Sequence, residues 1–433
     1  MNHVLDGKGV ARTVAIALVI TFTLAGPGLF TAVDGLAQSP GEIVIVTGPP
    51  GRGDLGFIDL MFKGAEEAQR DFGFEVRHVL ADTPEDYVPT ISVVARRLNV
   101  KLIVGVFDSL EPFTILAPRF PDKNFLLIDV TPDRYIPNLL GVAYEQHKGS
   151  ALVGALAALL AIHYDMPHVG VVFGKPISVL WNFEIGYKWG VDWAIQWYKF
   201  HFPDQFADEP ATSIVHTPTN QRVLYEYTNT WSDPAVGDVS ATAMFGEGAV
   251  AVYNVAGGTG LGINTALERI RDEQGLEMGP PFGIGVDANQ DWLTPGFVIT
   301  SMLKRVDISV YEAARLIVEG KFKDVTASEG SQAILGIGTM LGGKPVTGVE
   351  ISDLSQLDEF IRFGQQAEEI QGSRILPAPP DEIRAKVIEM RGSQPAWIWD
   401  ALAELKLQIQ RGEVVVPNVW TQPALESWRR IYG

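Results

Sequence analysis

The chain has 433 residues, 46% hydrophobic and 20% charged, which is ample apolar material for two ordinary globular domains and excludes a disordered polypeptide. Its 34 basic and 52 acidic residues leave a net charge of −18, which argues against nucleic acid or anionic lipid as partners. With no cysteine, disulfides, thiolate zinc sites, a cysteine nucleophile and a lipid joined through cysteine are all excluded.

The chain opens with Lys8 and Arg12, an apolar run from Val14 to Leu29, and the small-residue pattern Gly35-Leu36-Ala37. This layout predicts a secretory signal peptide over residues 1–37, cleaved before Gln38. A retained membrane anchor is the competing reading, but the run holds fewer than about 18 clean apolar residues. An exported protein without cysteine is expected to be free in a bacterial periplasm and not lipidated.

Short apolar runs then alternate with amphipathic stretches. Strands are predicted over 42–47, 74–79, 102–106 and 125–130, with helices over 60–72, 87–98 and 114–120 between them. The pattern continues with helix 149–163, strand 169–173, helix 183–197, strand 249–255, helix 262–272 and strand 282–286. Such alternation is the mark of parallel βαβ units, here a doubly wound α/β architecture repeated about twice. From Ser373 to Pro395 prolines interrupt the sequence, which predicts a surface insertion ahead of a closing helix over 397–411.

No motif supports catalysis. Gly48-Pro-Pro-Gly51-Arg-Gly53 has neither dinucleotide nor phosphate-loop spacing, and Gly174-Lys175 is followed by Pro176 where a hydroxyl residue would be needed. The seven histidines form no metal-ligand pattern, and no serine sits in a nucleophile elbow. Neither a cofactor nor a metal is expected. Ala256-Gly-Gly-Thr-Gly-Leu-Gly262, between a predicted strand and helix, would let a backbone approach a ligand closely, or would simply make a tight turn. Asp54, Asp129 and Asp287 stand where strands open into loops; carboxylates there either grip ligand hydroxyls or cap turns and helices. The aromatics of the 181–198 stretch have helical spacing and read as core, whereas Phe57 lies in a loop-like segment suited to covering a flat ligand.

Several of these segments fall into one order. Pro121-Asp-Lys-Asn-Phe-Leu-Leu-Ile-Asp129, Trp231-Ser-Asp-Pro-Ala-Val-Gly237, the glycine turn at 256–262, Gly285-Val-Asp287 and Thr300-Ser-Met-Leu-Lys-Arg-Val-Asp307 together resemble the basic membrane protein family of ABC-importer binding proteins. The likeness runs from about Glu42 to Leu316, and Ile409 to Pro417 is similar to the family's last helix and strand. It implies the type I periplasmic binding protein fold, with two doubly wound lobes joined by a hinge. The lobes would comprise 41–145 plus 305–335 and 146–304 plus 336–433, with crossings near 145–148, near 301–304 and after Gly330.

The resemblance also implies a function: capture of a purine nucleoside and its delivery, without catalysis, by a monomer to a membrane permease. Phe57 and Tyr253 would stack on the two faces of the base, Asp129 would read its edge, Asp287 and Lys304 would hold the ribose, and Gly258 would offer its backbone. Asp54 completes the candidate set. Gly56-Phe57-Ile58 replaces the family's usual Ser-Phe-Asn, and Phe107-Asp108-Ser109 departs from a blander family stretch, so another flat polar solute is an alternative ligand. A nucleoside-processing enzyme is a further alternative, disfavoured because the first loop offers only Asp54 and Asp59 rather than an aspartate-rich calcium loop.

Overall fold

A computed structural model describes residues 39–49, 51–208 and 223–432; the signal peptide expected over 1–37 lies outside the described residues. The first half alternates as the sequence pattern predicts. β1 (Glu42–Thr47) leads to α1 (Phe57–Phe72), β2 (Glu75–Leu80) to α2 (Tyr87–Ala95), and β3 (Val100–Gly105) to α3 (Leu110–Leu116). β4 (Asn124–Ile128) and β5 (Leu139–Tyr144) follow, then the long α4 (Gln146–Tyr164). The second half repeats the arrangement. It holds β6 (His168–Phe173), α5 (Ser178–His201), α6 (Pro203–Asp208), β7 (Leu224–Tyr227), α7 (Pro234–Gly246), β8 (Ala249–Val255), α8 (Gly262–Gln274), β9 (Phe282–Asp287) and β10 (Val298–Lys304).

The strands sort into two six-stranded sheets. The first has the order β11-β5-β4-β3-β1-β2, all parallel, and draws its edge strand β11 (Gln332–Leu335) from late in the chain, after α9 (Val306–Val318) and α10 (Phe322–Ser328). The second has the order β14-β10-β9-β8-β6-β7; its edge strand β14 (Val349–Ile351) follows the small hairpin of β12 (Thr339–Leu341) and β13 (Lys344–Val346) and runs antiparallel to β10. Central strands such as β1, β5, β6 and β8 are buried along their whole length, as expected for parallel sheets with helices on both faces.

The chain passes between the sheets three times: at Glu145 before α4, at Arg305 before α9, and after β11. This is the two-lobe type I periplasmic binding architecture. α4 and α5 pack side by side under the second sheet at very short range. A Cβ at Gly154, Gly186 or Gly190 would run into the backbone of the facing helix, so small residues are required at these crossings.

Four further helices close the molecule: α11 (Leu357–Gln371), α12 (Pro380–Gly392), α13 (Ala396–Arg411) and α14 (Gln422–Tyr432). Here the structure departs from the sequence reading. The 373–395 segment is no surface excursion, because α12 buries Ile383, Val387 and Met390. It also inserts Arg391, whose guanidinium meets Asp291 at 2.6 Å and the carbonyl of Ile299 at 3.0 Å. The prolines that suggested a loop instead start two helices, with Pro379 and Pro395 at the N-cap positions of α12 and α13. No ladder forms over 413–417 either. That stretch bends after α13 with Val416 buried, and α14 follows, tied down by a bidentate Arg429–Glu184 pair at 2.8 and 2.7 Å.

Candidate functional site

The carboxyl ends of both sheets face one another across a cavity of about 410 Å³, the place where open parallel sheets bind ligands. Its volume falls in the range of small-molecule sites. Asp54, Phe57, Asp129, Gly258, Asp287 and Lys304 all line it, so six of the seven candidate residues are brought together from loops far apart in sequence.

Asp129 and Asp287 hold equivalent positions. Each follows or ends a central strand, β4 in one lobe and β9 in the other, and each adopts a left-handed backbone, with φ of 77° and 63°. That conformation is costly for a non-glycine residue and turns both carboxylates into the cleft. Lys304, at the end of β10, is 2% exposed and pairs with Asp129. Its ammonium also sits over three aromatic rings, 5.1 Å from Phe57 and 5.4 Å from both Tyr144 and Phe183.

Asp287 has no such settlement. Oδ1 is buried with no hydrogen-bond partner among the described residues. Burial pushes its carboxyl up to about 7; Lys304 opposes this, while the nearby Asp129 and Asp54 charges reinforce it. A buried acceptor left open toward a cavity is a demand for a ligand donor.

Asp54 plays a different part. Its carboxylate accepts the backbone N–H groups of Gly56, Ile58 and Asp59 at 3.1, 2.9 and 3.1 Å, which makes it the cap of α1. Asp59 in turn accepts Gly53 and Leu55 at 3.1 and 2.9 Å, so two carboxylates fix the loop that presents Phe57. Asp54 borders the cleft with its oxygens already engaged, and its proton affinity, raised to about 6 by burial and then by Asp59, follows from that enclosure.

Tyr253 does not line the cavity. It is fully buried two residues below the mouth of β8, with its ring 5.4 Å from that of Tyr187 and its hydroxyl 3.4 Å from Ser150. Strand periodicity explains the error: Val255, on the same face and one pleat further, forms the wall. Sequence reasoning passed over the aromatic that does face Phe57's side of the cleft from the second lobe. Trp231, just after β7, lines it, and a side chain at Gly174 would collide with its ring. The signal was present, since Trp231 opens the Trp-Ser-Asp-Pro segment. Phe183, counted with the helix core, is both core and cleft wall. Gly257, at φ 56°, and Gly258 turn tightly beneath Trp231, whose carbonyl accepts the Thr259 N–H at 3.1 Å.

Two facing α/β lobes and a polar, aromatic-walled cleft between them define a solute-binding protein. The family model described as the PnrA-like ABC transporter substrate-binding protein matches residues 42–195 and 214–341, and the chain belongs to that basic membrane protein family. A solute-binding protein of an ABC transporter system from Aeropyrum pernix superimposes with a TM-score of 0.74 at 27% identity, covering 90% of this chain and 96% of that one. An uncharacterized lipoprotein of Pyrococcus abyssi is 30% identical over 89% of this chain and 86% of its own length. An ABC transporter nucleoside-binding protein of Lactococcus lactis is 26% identical over 73% of this chain and 86% of its own length.

These relatives correct the expectation of a freely diffusing, unlipidated periplasmic protein. Three Pyrococcus relatives, 28–30% identical, are described as lipoproteins, which points to a form held at the membrane. The missing cysteine bears only on lipid joined through that residue and was too narrow a ground for a free protein.

Proposed function

We propose that this solute-binding protein captures a purine nucleoside between its lobes and hands it to the permease of its transporter while held at a membrane surface. The observation that carries the reading is the pairing of aromatic walls, Phe57 and Trp231, with a buried carboxylate, Asp287, whose Oδ1 lacks a donor among the described residues. The base lies between the two aromatics. The ribose hydroxyls donate to Asp287 and sit beside the Lys304–Asp129 pair, so Asp129 works on the sugar side rather than at the base edge. The description of the Lactococcus lactis relative as nucleoside-binding supports the same ligand class. Closure of the lobes expels water and strengthens the polar contacts, and the ligand's higher affinity for the closed form drives the motion without any bond being made or broken.

Isothermal titration of refolded, ligand-stripped protein against guanosine, inosine, adenosine and uridine tests this. One-to-one binding of a purine nucleoside is expected, weakened roughly 5- to 100-fold by Trp231→Ala or Phe57→Ala, the range set by stacking on an aromatic. Failure of every nucleoside to bind, with another solute recovered from the native protein, overturns the ligand assignment and leaves the family intact.

A further inference from the structure

The polar groups of the cleft fall into two groups carried by different strand ends. Asp129, Asp287 and Lys304 sit at the ends of β4, β9 and β10, next to the strands from which the chain crosses between lobes. The second group is spread over other strand ends, from β3 beside β4 to β2 at the sheet edge. Tyr87 begins α2 after β2, Asp108 follows β3, and Lys175 follows β6 in the other lobe; all three line the same cavity. β2, which leads to Tyr87, is three strand positions from β4 in the first sheet, roughly 14 Å at the usual spacing between strands, whereas β3, which leads to Asp108, is the immediate neighbour of β4. Tyr87 therefore stands beyond the reach of one sugar ring seated at Asp129, and Asp108 lies between the two.

In this second group Tyr87 is buried with an unmet demand of its own, whereas Asp108 and Lys175 are exposed. Tyr87 is 3% exposed, yet its hydroxyl, beside the Gly48 amide, makes no well-formed hydrogen bond among the described residues. Asp108 accepts no hydrogen bond from a described residue; Lys175 is the cation acting on it, from across the cleft. Partial enclosure in the cleft raises the Asp108 carboxyl against the pull of Lys175, and burial raises the Tyr87 phenol to about 12.

We infer that Tyr87, Asp108 and Lys175 form a second recognition subsite that reads the edge of the base remote from the sugar and selects a 2-amino-6-oxopurine. This rests on the nucleoside reading above. With the ribose at Asp287 and the base between Phe57 and Trp231, the far edge of the base points toward β2, β3 and β6. A guanine edge presents a carbonyl oxygen followed by two adjacent N–H donors. Lys175 donates to the carbonyl, the two oxygens of Asp108 accept the ring N–H and the exocyclic amine side by side, and Tyr87 supplies a hydroxyl to the same edge. Hypoxanthine lacks the amine and engages only one Asp108 oxygen. Adenine offers one donor and one acceptor and leaves the carboxylate half-used.

Titrations of wild type, Asp108→Asn, Asp108→Ala and Tyr87→Phe with guanosine, inosine and adenosine decide the matter, with thermal melts of each unliganded variant confirming that it folds. Wild type is expected to bind guanosine roughly tenfold tighter than inosine, and adenosine more weakly still. Asp108→Asn and Asp108→Ala are expected to lower guanosine affinity roughly 10- to 100-fold, the range for a hydrogen bond to a charged group, with adenosine changed less than about threefold. Equal effects on all three nucleosides, no effect on any, or a wild type that prefers adenosine overturns the subsite while nucleoside binding by wild type keeps the broader reading. A wild type that binds no nucleoside overturns both.

Discussion

Asp307, at the start of α9, and Asp287, at the end of β9, are both buried aspartates, yet the protein treats them in opposite ways. Asp307, 1% exposed at the start of α9, receives Lys63 at 2.9 Å and Arg305 at 3.0 and 2.9 Å. Burial alone would raise its carboxyl, but the Arg305 guanidinium and the Lys63 ammonium hold it well below the usual carboxylate range. Lys63 also reaches Glu67 and Glu359 at 2.9 and 2.7 Å, so the cluster ties α1 and α9 to α11 where the lobes meet. Asp287, 8% exposed, keeps one oxygen without a hydrogen-bond partner among the described residues and is pushed up to about 7. A saturated acid fixes structure; an acid left short of donors waits for a ligand.

The largest effect expected from this contrast is at another saturated pair. Arg391→Met strands Asp291 in the second lobe without its cation and should lower unfolding free energy by about 3–5 kcal/mol, read as the shift in a denaturant midpoint. A loss under about 1 kcal/mol would mean that water or rearrangement replaces the guanidinium and that α12 is weakly held. Asp287→Asn should do the reverse. It removes a strained charge, so the unliganded protein keeps or gains stability while nucleoside affinity falls roughly 10- to 100-fold in calorimetric titration. Should stability collapse instead, Asp287 belongs with Asp307 as a structural acid.

The pH profile sharpens the same point more gently. The folded protein holds the Asp287 proton more tightly than the unfolded chain, whose carboxyl keeps its ordinary 3.8, so the unfolded state binds fewer protons between the two values. Asp287 therefore contributes stability that is full below about 4 and is lost as pH rises to about 7, and Asp287→Asn should flatten that slope in melts of the unliganded protein. The smallest effect is expected from Tyr253→Phe. Among the described residues the hydroxyl bonds only Ser150, behind the wall, so nucleoside affinity should stay within about twofold in the same titration. A larger drop would return Tyr253 to the site.

Much of the site could be read from the sequence, because the chemistry lies where strands end. Asp129 and Asp287 follow runs of apolar residues that can only be central strands, and in a parallel sheet such positions face the cleft. Tyr253 and Trp231 were misjudged for one reason: depth along a strand and direction off a loop are set by the packing of neighbours, here Tyr187 behind one and Gly174 beneath the other. Asp54 was ambiguous between ligand and cap until three backbone amides were seen to converge on it.

Composition and periodicity by themselves determined a doubly wound α/β architecture repeated about twice, since alternating apolar runs and amphipathic stretches have few other ways to bury their surfaces. The ordered motifs determined the family. Only the tertiary structure decided that the proline-broken 373–395 segment drives Arg391 into the second lobe, because a helix's buried face depends on what it packs against. Only the structure, too, gave Asp307 its two cations and left Asp287 short of a donor. Both are Asp in the sequence, and the difference lies in which charges the fold brings within about 3 Å of each.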